Sequence, residues 1–96
     1  MIKSTTSYRD GLLKDLAKPK EAAAYLNAAL EDGDQDVFLM ALRDIADARG
    51  MSRLAKSAKL NRESMYRMLS RRGNPRLSSL ESILQGAGLR LAVEVR

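Results

Sequence analysis

Nine basic side chains, Arg49, Arg53, Lys56, Lys59, Arg62, Arg67, Arg71, Arg72 and Arg76, fall within residues 49–76 against a single acid, Glu63. Like charges at that density repel one another unless an anion spreads among them, so the segment reads as a polyanion-binding surface. A guanidinium fork can pair with the O6 and N7 of guanine, and a carboxylate can accept from cytosine N4. Arg62, Glu63 and Arg67 are therefore the candidates for base reading. Ser52, Arg53, Asn61, Ser64, Tyr66, Arg72, Asn74 and Arg76 are candidates for bonds to the phosphate backbone. Other chemistry is scarce. The 96 residues contain no Cys and no His, which removes disulfides, zinc fingers, thiol nucleophiles and imidazole catalysis together. Asp32, Asp34 and Asp36 form a solvated acidic cluster with no nucleophile, phosphate loop or metal spacing beside them. No enzyme activity, cofactor or metal site is expected.

The net charge of +5 is unevenly placed. Residues 1–48 carry 6 basic and 9 acidic side chains and residues 49–96 carry 11 and 3, so a half of net −3 is joined to a half of net +8. Such asymmetry predicts two surfaces with different partners. At this length, with 45% hydrophobic and 30% charged residues, one core and one small domain are expected. No apolar run approaches the roughly 20 residues of a membrane span, and residues 1–7 lack the hydrophobic stretch of a signal peptide. A cytoplasmic location is expected.

Helical periodicity must position these residues. Residues 1–18 carry a small apolar set, Tyr8, Leu12, Leu13 and Leu16, compatible with a short helix or a docking arm. Pro19 suits a first helical position, and Ala22, Leu26, Ala29 and Leu30 repeat on one face, with Tyr25 alongside, until Gly33. Asp34 or Asp36 caps a central helix whose stripe is Val37, Phe38, Ala41, Leu42, Ile45 and Ala46, ending at Gly50. Ser52 is expected to cap a short helix, and Asn61 a second one with Met65, Met68 and Leu69 inward. Residues 71–76 read as a loop. Ser78 with Glu81 reads as a capping box opening a last helix, stopped by Gly86 or Gly88. Leu89, Leu91, Val93 and Val95 then alternate with polar residues, a strand pattern without a second strand in the chain. Leu91, Val93 and Val95 are therefore expected to pair across a homodimer, although packing of a tail on the helices would serve the same side chains.

The two short helices are joined as in a helix-turn-helix. Small Ala55 and Ala58 allow close crossing, Leu60 plugs the turn and Met65 fixes the second helix. Lys59 stands at the turn position that usually takes Gly, at a cost of roughly 1 kcal/mol in a left-handed conformation.

The runs Ala41–Ser52, Leu60–Ser70, Gly73–Leu77 and Gly88–Leu91, with Glu21–Glu31 upstream, resemble the addiction-module antidote family, HigA-like antitoxins with a Cro/repressor-type helix-turn-helix. The resemblance covers roughly residues 8–93, and Lys59 is its main departure. It implies a mainly α, five-helix lambda-repressor-like domain with one C-terminal β-strand. Three regions follow: residues 1–33 contacting a toxin, residues 34–88 binding DNA, and residues 89–96 dimerising. The implied function is that of a bacterial type II antitoxin, which represses its own operon and neutralises a small basic ribonuclease-type toxin. Tyr8, Leu12, Leu16, Tyr25 and Leu26 are the toxin-contact candidates, from the resemblance and the charge sign together. The same helix-turn-helix would equally serve a stand-alone transcriptional regulator with no toxin.

Overall fold

The computed structural model describes residues 5–96, in which six helices follow one another: α1 (Thr5–Leu16), α2 (Pro19–Asp32), α3 (Gln35–Arg49), α4 (Met51–Ser57), α5 (Arg62–Met68) and α6 (Leu77–Gly86). The chain is mainly α, and its helix ends show why. Pro19 opens α2, where its missing N–H costs no helix bond. Gly33 closes it with φ 82°, its N–H donating to the Leu30 carbonyl at 3.1 Å. The Asp34 carboxylate caps α3 by accepting the Asp36 N–H at 2.8 Å. α3 is the central element and packs against α1, α2 and α4. Its Leu42, Ile45 and Ala46 are fully buried, within one core cluster that draws on all six helices. α6 closes that core over α4 with Ile83 and Leu84. The two helices approach so closely that a Cβ on Gly86 would lie 2.7 Å from Leu54 Cδ2.

The N-terminal segment resolves into a helix, so there are six helices where five were expected. α1 is fastened by Leu16, which is buried, and by charge. Arg9 donates to Asp44 at 3.1 Å and to Asp47 at 2.7 Å, both on α3. The Tyr25 hydroxyl on α2 donates to the same Asp44 at 2.6 Å, so one carboxylate ties three helices. Arg49 donates to the Ala17 carbonyl behind them.

This knot makes a pH prediction. Desolvation, then the bond to Asp44, push the Tyr25 pKa up to about 12, against about 10 for an ordinary phenol. A phenol whose folded pKa is raised contributes stability fully present below the unfolded value and lost as pH climbs from about 10 to 12. Difference titration of the wild type against Tyr25→Phe should place the Tyr25 phenolate near pH 12. A component at the ordinary value would refute the bond.

Two helix starts differ from expectation. α4 begins at Met51 with Gly50 as its cap, because the Gly50 carbonyl accepts the Leu54 N–H at 3.1 Å; Ser52 lies inside the helix and caps nothing. α6 begins at Leu77, because the Arg76 carbonyl already accepts the Leu80 N–H at 2.9 Å. Ser78 therefore sits two residues too deep for a capping box. Residues 89–96 form no strand, and no strand occurs among the described residues. A strand needs a ladder partner for its backbone groups, and the single chain supplies none. Val93 and Val95 are each 99% exposed and Leu91 is 41% exposed.

The turn after α4 holds Lys59 in the left-handed conformation. Lys59 takes φ 58°, its N–H donating to Lys56 at 3.1 Å, while the Leu60 N–H reaches back to Ala55 at 2.8 Å. This is a Schellman ending, repeated after α6 with Gly88 at φ 80° and Leu89 donating to Leu84 at 2.8 Å. The repeat shows glycine fitting the geometry that lysine fills under strain. Replacing Lys59 with Gly relieves about 1–2 kcal/mol of left-handed strain and returns about 0.4–1 kcal/mol of unfolded-state entropy. Lys59→Gly should raise the melting temperature by a few degrees, and a lowered one would show that the lysine side chain stabilises the turn.

Candidate nucleic-acid interface

The Asn61 side chain accepts the Ser64 N–H at 2.7 Å, which fixes the start of α5. Met65 and Leu69 are buried, so Arg62, Glu63 and Arg67 are left exposed on the opposite side. The structure thus places the base-reading candidates on one outer face. Of the backbone candidates, Asn61 is committed to its cap. Ser52 and Arg53 are exposed in the first turn of α4.

Arg62 is held from both helices. It donates to the Ser52 hydroxyl and to the Tyr66 hydroxyl, each at 3.3 Å, and its guanidinium lies 5.5 Å from the Tyr66 ring centre. The bond to Tyr66 raises the Arg62 pKa above its already high value, so this face keeps its charge. Because Ser52 caps nothing, its hydroxyl is available for this bond. Arg67 donates to the Ser64 hydroxyl at 3.4 Å one turn back.

The loop between α5 and α6 completes the surface. Ser64 and Arg67 from α5, with Arg72, Asn74 and Arg76 from the loop, line one open groove. The loop bends at Arg72, a residue with φ 67°, where the Gly73 N–H donates to Ser70 at 2.8 Å. Asp36 holds this strained backbone from α3. Its carboxylate accepts the Arg72 N–H at 3.0 Å and pairs with the Arg71 side chain at 3.4 Å. Gln35 donates to the Gly73 carbonyl at 3.1 Å.

The sequence reading missed Gln35, Asp36 and Arg43, all on α3. The Arg43 guanidinium lies 5.2 Å from the Tyr66 ring centre, adding an exposed cation to this face from the half of the chain that is net acidic. Asp36, Met40 and Arg43 share one helical stripe, and a stripe of unlike charges around a methionine was the available signal.

The toxin-contact candidates divide. Tyr8 is 75% exposed, and Leu12 and Tyr25 are half-buried. Leu16 and Leu26 are buried in the core and present nothing to a partner while the fold is intact.

These features define a small, mainly α protein whose basic surface is carried by two short helices and the loop after them. The family described as "Probable addiction module antidote protein" matches residues 9–95, and the chain belongs to that family. A protein of Haemophilus influenzae (strain ATCC 51907 / DSM 11121 / KW20 / Rd), described as "Uncharacterized protein", is 35% identical over 79 residues. The match spans 82% of this chain and 81% of that protein. No solved structure matches. Membership of an antidote family implies a cognate toxin as partner. No helix among the described residues is long and apolar enough to cross a membrane.

Proposed function

We propose that this chain is a HigA-like antitoxin of a type II toxin–antitoxin module, which binds operator DNA as a homodimer and neutralises a small basic toxin of ribonuclease type. In this reading α4, its turn and α5 are a DNA-binding helix-turn-helix, and the dimer represses its own operon. The observation that carries the DNA half is the groove: Arg67, Arg72 and Arg76 converge beside the exposed face of α5, with no acid among its lining residues. Arg62, Glu63 and Arg67 read base edges, while Ser52, Arg53, Ser64, Tyr66, Arg72, Asn74 and Arg76 hold phosphates. Leu91, Val93 and Val95 pair with the same segment of a second copy, which gives the open strand edge its missing ladder. Two α5 helices about 34 Å apart then enter successive major grooves. Cofactors and metals play no part.

The test is growth of cells expressing the adjacent small reading frame with and without this chain, followed by co-purification of both products. Rescue with a stable complex supports the antitoxin role. If there is neither toxicity nor complex while DNA binding persists, the chain is a stand-alone regulator. Operator affinity should also fall steeply with salt. Three cationic anchors per copy, Arg53, Arg72 and Arg76, make about six phosphate contacts per dimer, and hence a loss of about 10³-fold between 50 and 200 mM salt. A flat plot of log affinity against log salt would refute the phosphate assignment.

A further inference from the structure

The least expected apolar surface lies on α3. Met40 is 63% exposed and Val37 is 38% exposed, on a helix whose other face is the centre of the core. Together they form a ridge between two hollows. One hollow is lined by Tyr25, Ala28 and Asp32 of α2, the other by Asp34 at the cap of α3. An unbranched, polarisable Met and a Tyr beside it are residue types enriched where one protein packs against another.

Charge selects the partner. Asp32 and Asp34 are exposed and stand at the two hollows. Two arginines also line the second hollow: Arg71 is paired with Asp36, and Arg43 keeps its charge with its guanidinium 5.2 Å from the Tyr66 ring centre on the side of the basic face. The half of the chain that carries the ridge is net −3. DNA is disfavoured by these acids. A second copy is disfavoured as well, because it would bring the same carboxylates face to face.

We infer that the Val37–Met40 ridge is the docking surface for the cognate toxin, which covers it with an apolar side chain ringed by basic residues. The inference rests on the antitoxin reading above, and it moves toxin contact from the buried Leu16 and Leu26 to the exposed side of α3. Of the earlier candidates, Tyr25 remains part of the surface.

The test uses the full chain and, as probe, the purified product of the adjacent reading frame. Met40→Lys sets a charge on the ridge, and Asp32→Lys reverses its rim. Leu77→Lys is the control, a residue equally exposed at 63% on α6. Met40→Lys should weaken the complex by about thirtyfold or more, the scale of a central interface residue. Asp32→Lys should weaken it less, mainly through a slower, salt-dependent association. The Leu77→Lys variant should bind within about threefold of wild type. All three should retain DNA binding and melting behaviour, which verifies their fold.

Unchanged toxin affinity in Met40→Lys overturns the assignment while leaving the antitoxin reading in place. A lower solution mass for Met40→Lys alone also overturns it, because the ridge would then be a contact between two copies. A wild-type chain that forms no complex with the probe defeats the antitoxin reading itself, and this assignment falls with it.

Discussion

Replacing Arg62 and Arg67 together by alanine should weaken binding to the DNA upstream of this reading frame by between about thirtyfold and about ten-thousandfold for each half-site. Each bidentate arginine–guanine pair contributes about 1–3 kcal/mol of discrimination, and 1.4 kcal/mol is tenfold. Both side chains are exposed on α5, so the melting temperature should hardly move. The loss should also be selective. Unrelated duplexes should bind the double variant almost as they bind the wild type, whereas Arg76→Ala should weaken every sequence alike and reduce the salt slope of the dimer by about two, one contact being lost from each copy. Competition between the upstream DNA and a scrambled duplex separates these cases. Affinity of the double variant within threefold of wild type would show that α5 does not read bases.

The second large effect concerns backbone. A methyl group on Gly73 would lie 2.0 Å from the Met68 carbonyl oxygen and 2.9 Å from that of Ser70. Neither atom is the end of a flexible side chain, so the turn itself must move. Gly73→Ala should cost about 1–3 kcal/mol, the range for forced overpacking. At about 4–8 °C per kcal/mol for a chain of this size, the melting temperature should drop by roughly 5–20 °C. DNA affinity should fall as well, since Arg72 and Arg76 stand on either side of the displaced turn. Gly11 is the counterpart. It lies within α1 with nothing within 4 Å of an added Cβ. There the same substitution should stabilise the helix by about 0.5–1 kcal/mol. Equal melting of Gly73→Ala and wild type would show that the loop has room to adapt.

The helices legible in the sequence were those with local punctuation. Pro19 and Gly33 bracket α2, Asp34 caps α3 and Asn61 caps α5, each through a contact within three residues. Where local signals misled, a longer-range cause had prevailed. The Ser78–Glu81 pattern is a valid box, but the ladder is already running from Arg76. The reading of α1 stayed open because its anchor, Arg9, reaches carboxylates 35 and 38 positions away, beyond any periodicity. The terminal alternation is visible in the residues, but it forms no strand, because the single chain supplies no ladder partner for its backbone groups.

The candidate site was legible as a composition and less so as an arrangement. Nine cations within residues 49–76 mark the surface without folding knowledge. That Arg67, Arg72 and Arg76 share a groove depends on the bend at Arg72, a left-handed residue held by a carboxylate on α3. That Ser52 serves Arg62 depends on α4 starting two residues earlier than its cap signal suggests.

The shortness of α5 limits how much a single copy can recognise. Its seven residues span about 10 Å, room for roughly three base-pair steps of 3.4 Å. Three base pairs define one of 64 words, and two copies reading six define one of about 4,000, whereas a genome presents at least about 10⁶ alternatives. On the proposed DNA-binding reading, an operator therefore carries part of its address outside the letters α5 touches, in half-site spacing and in duplex stiffness and groove width. Sequence changes between the half-sites should alter occupancy without any side chain meeting them.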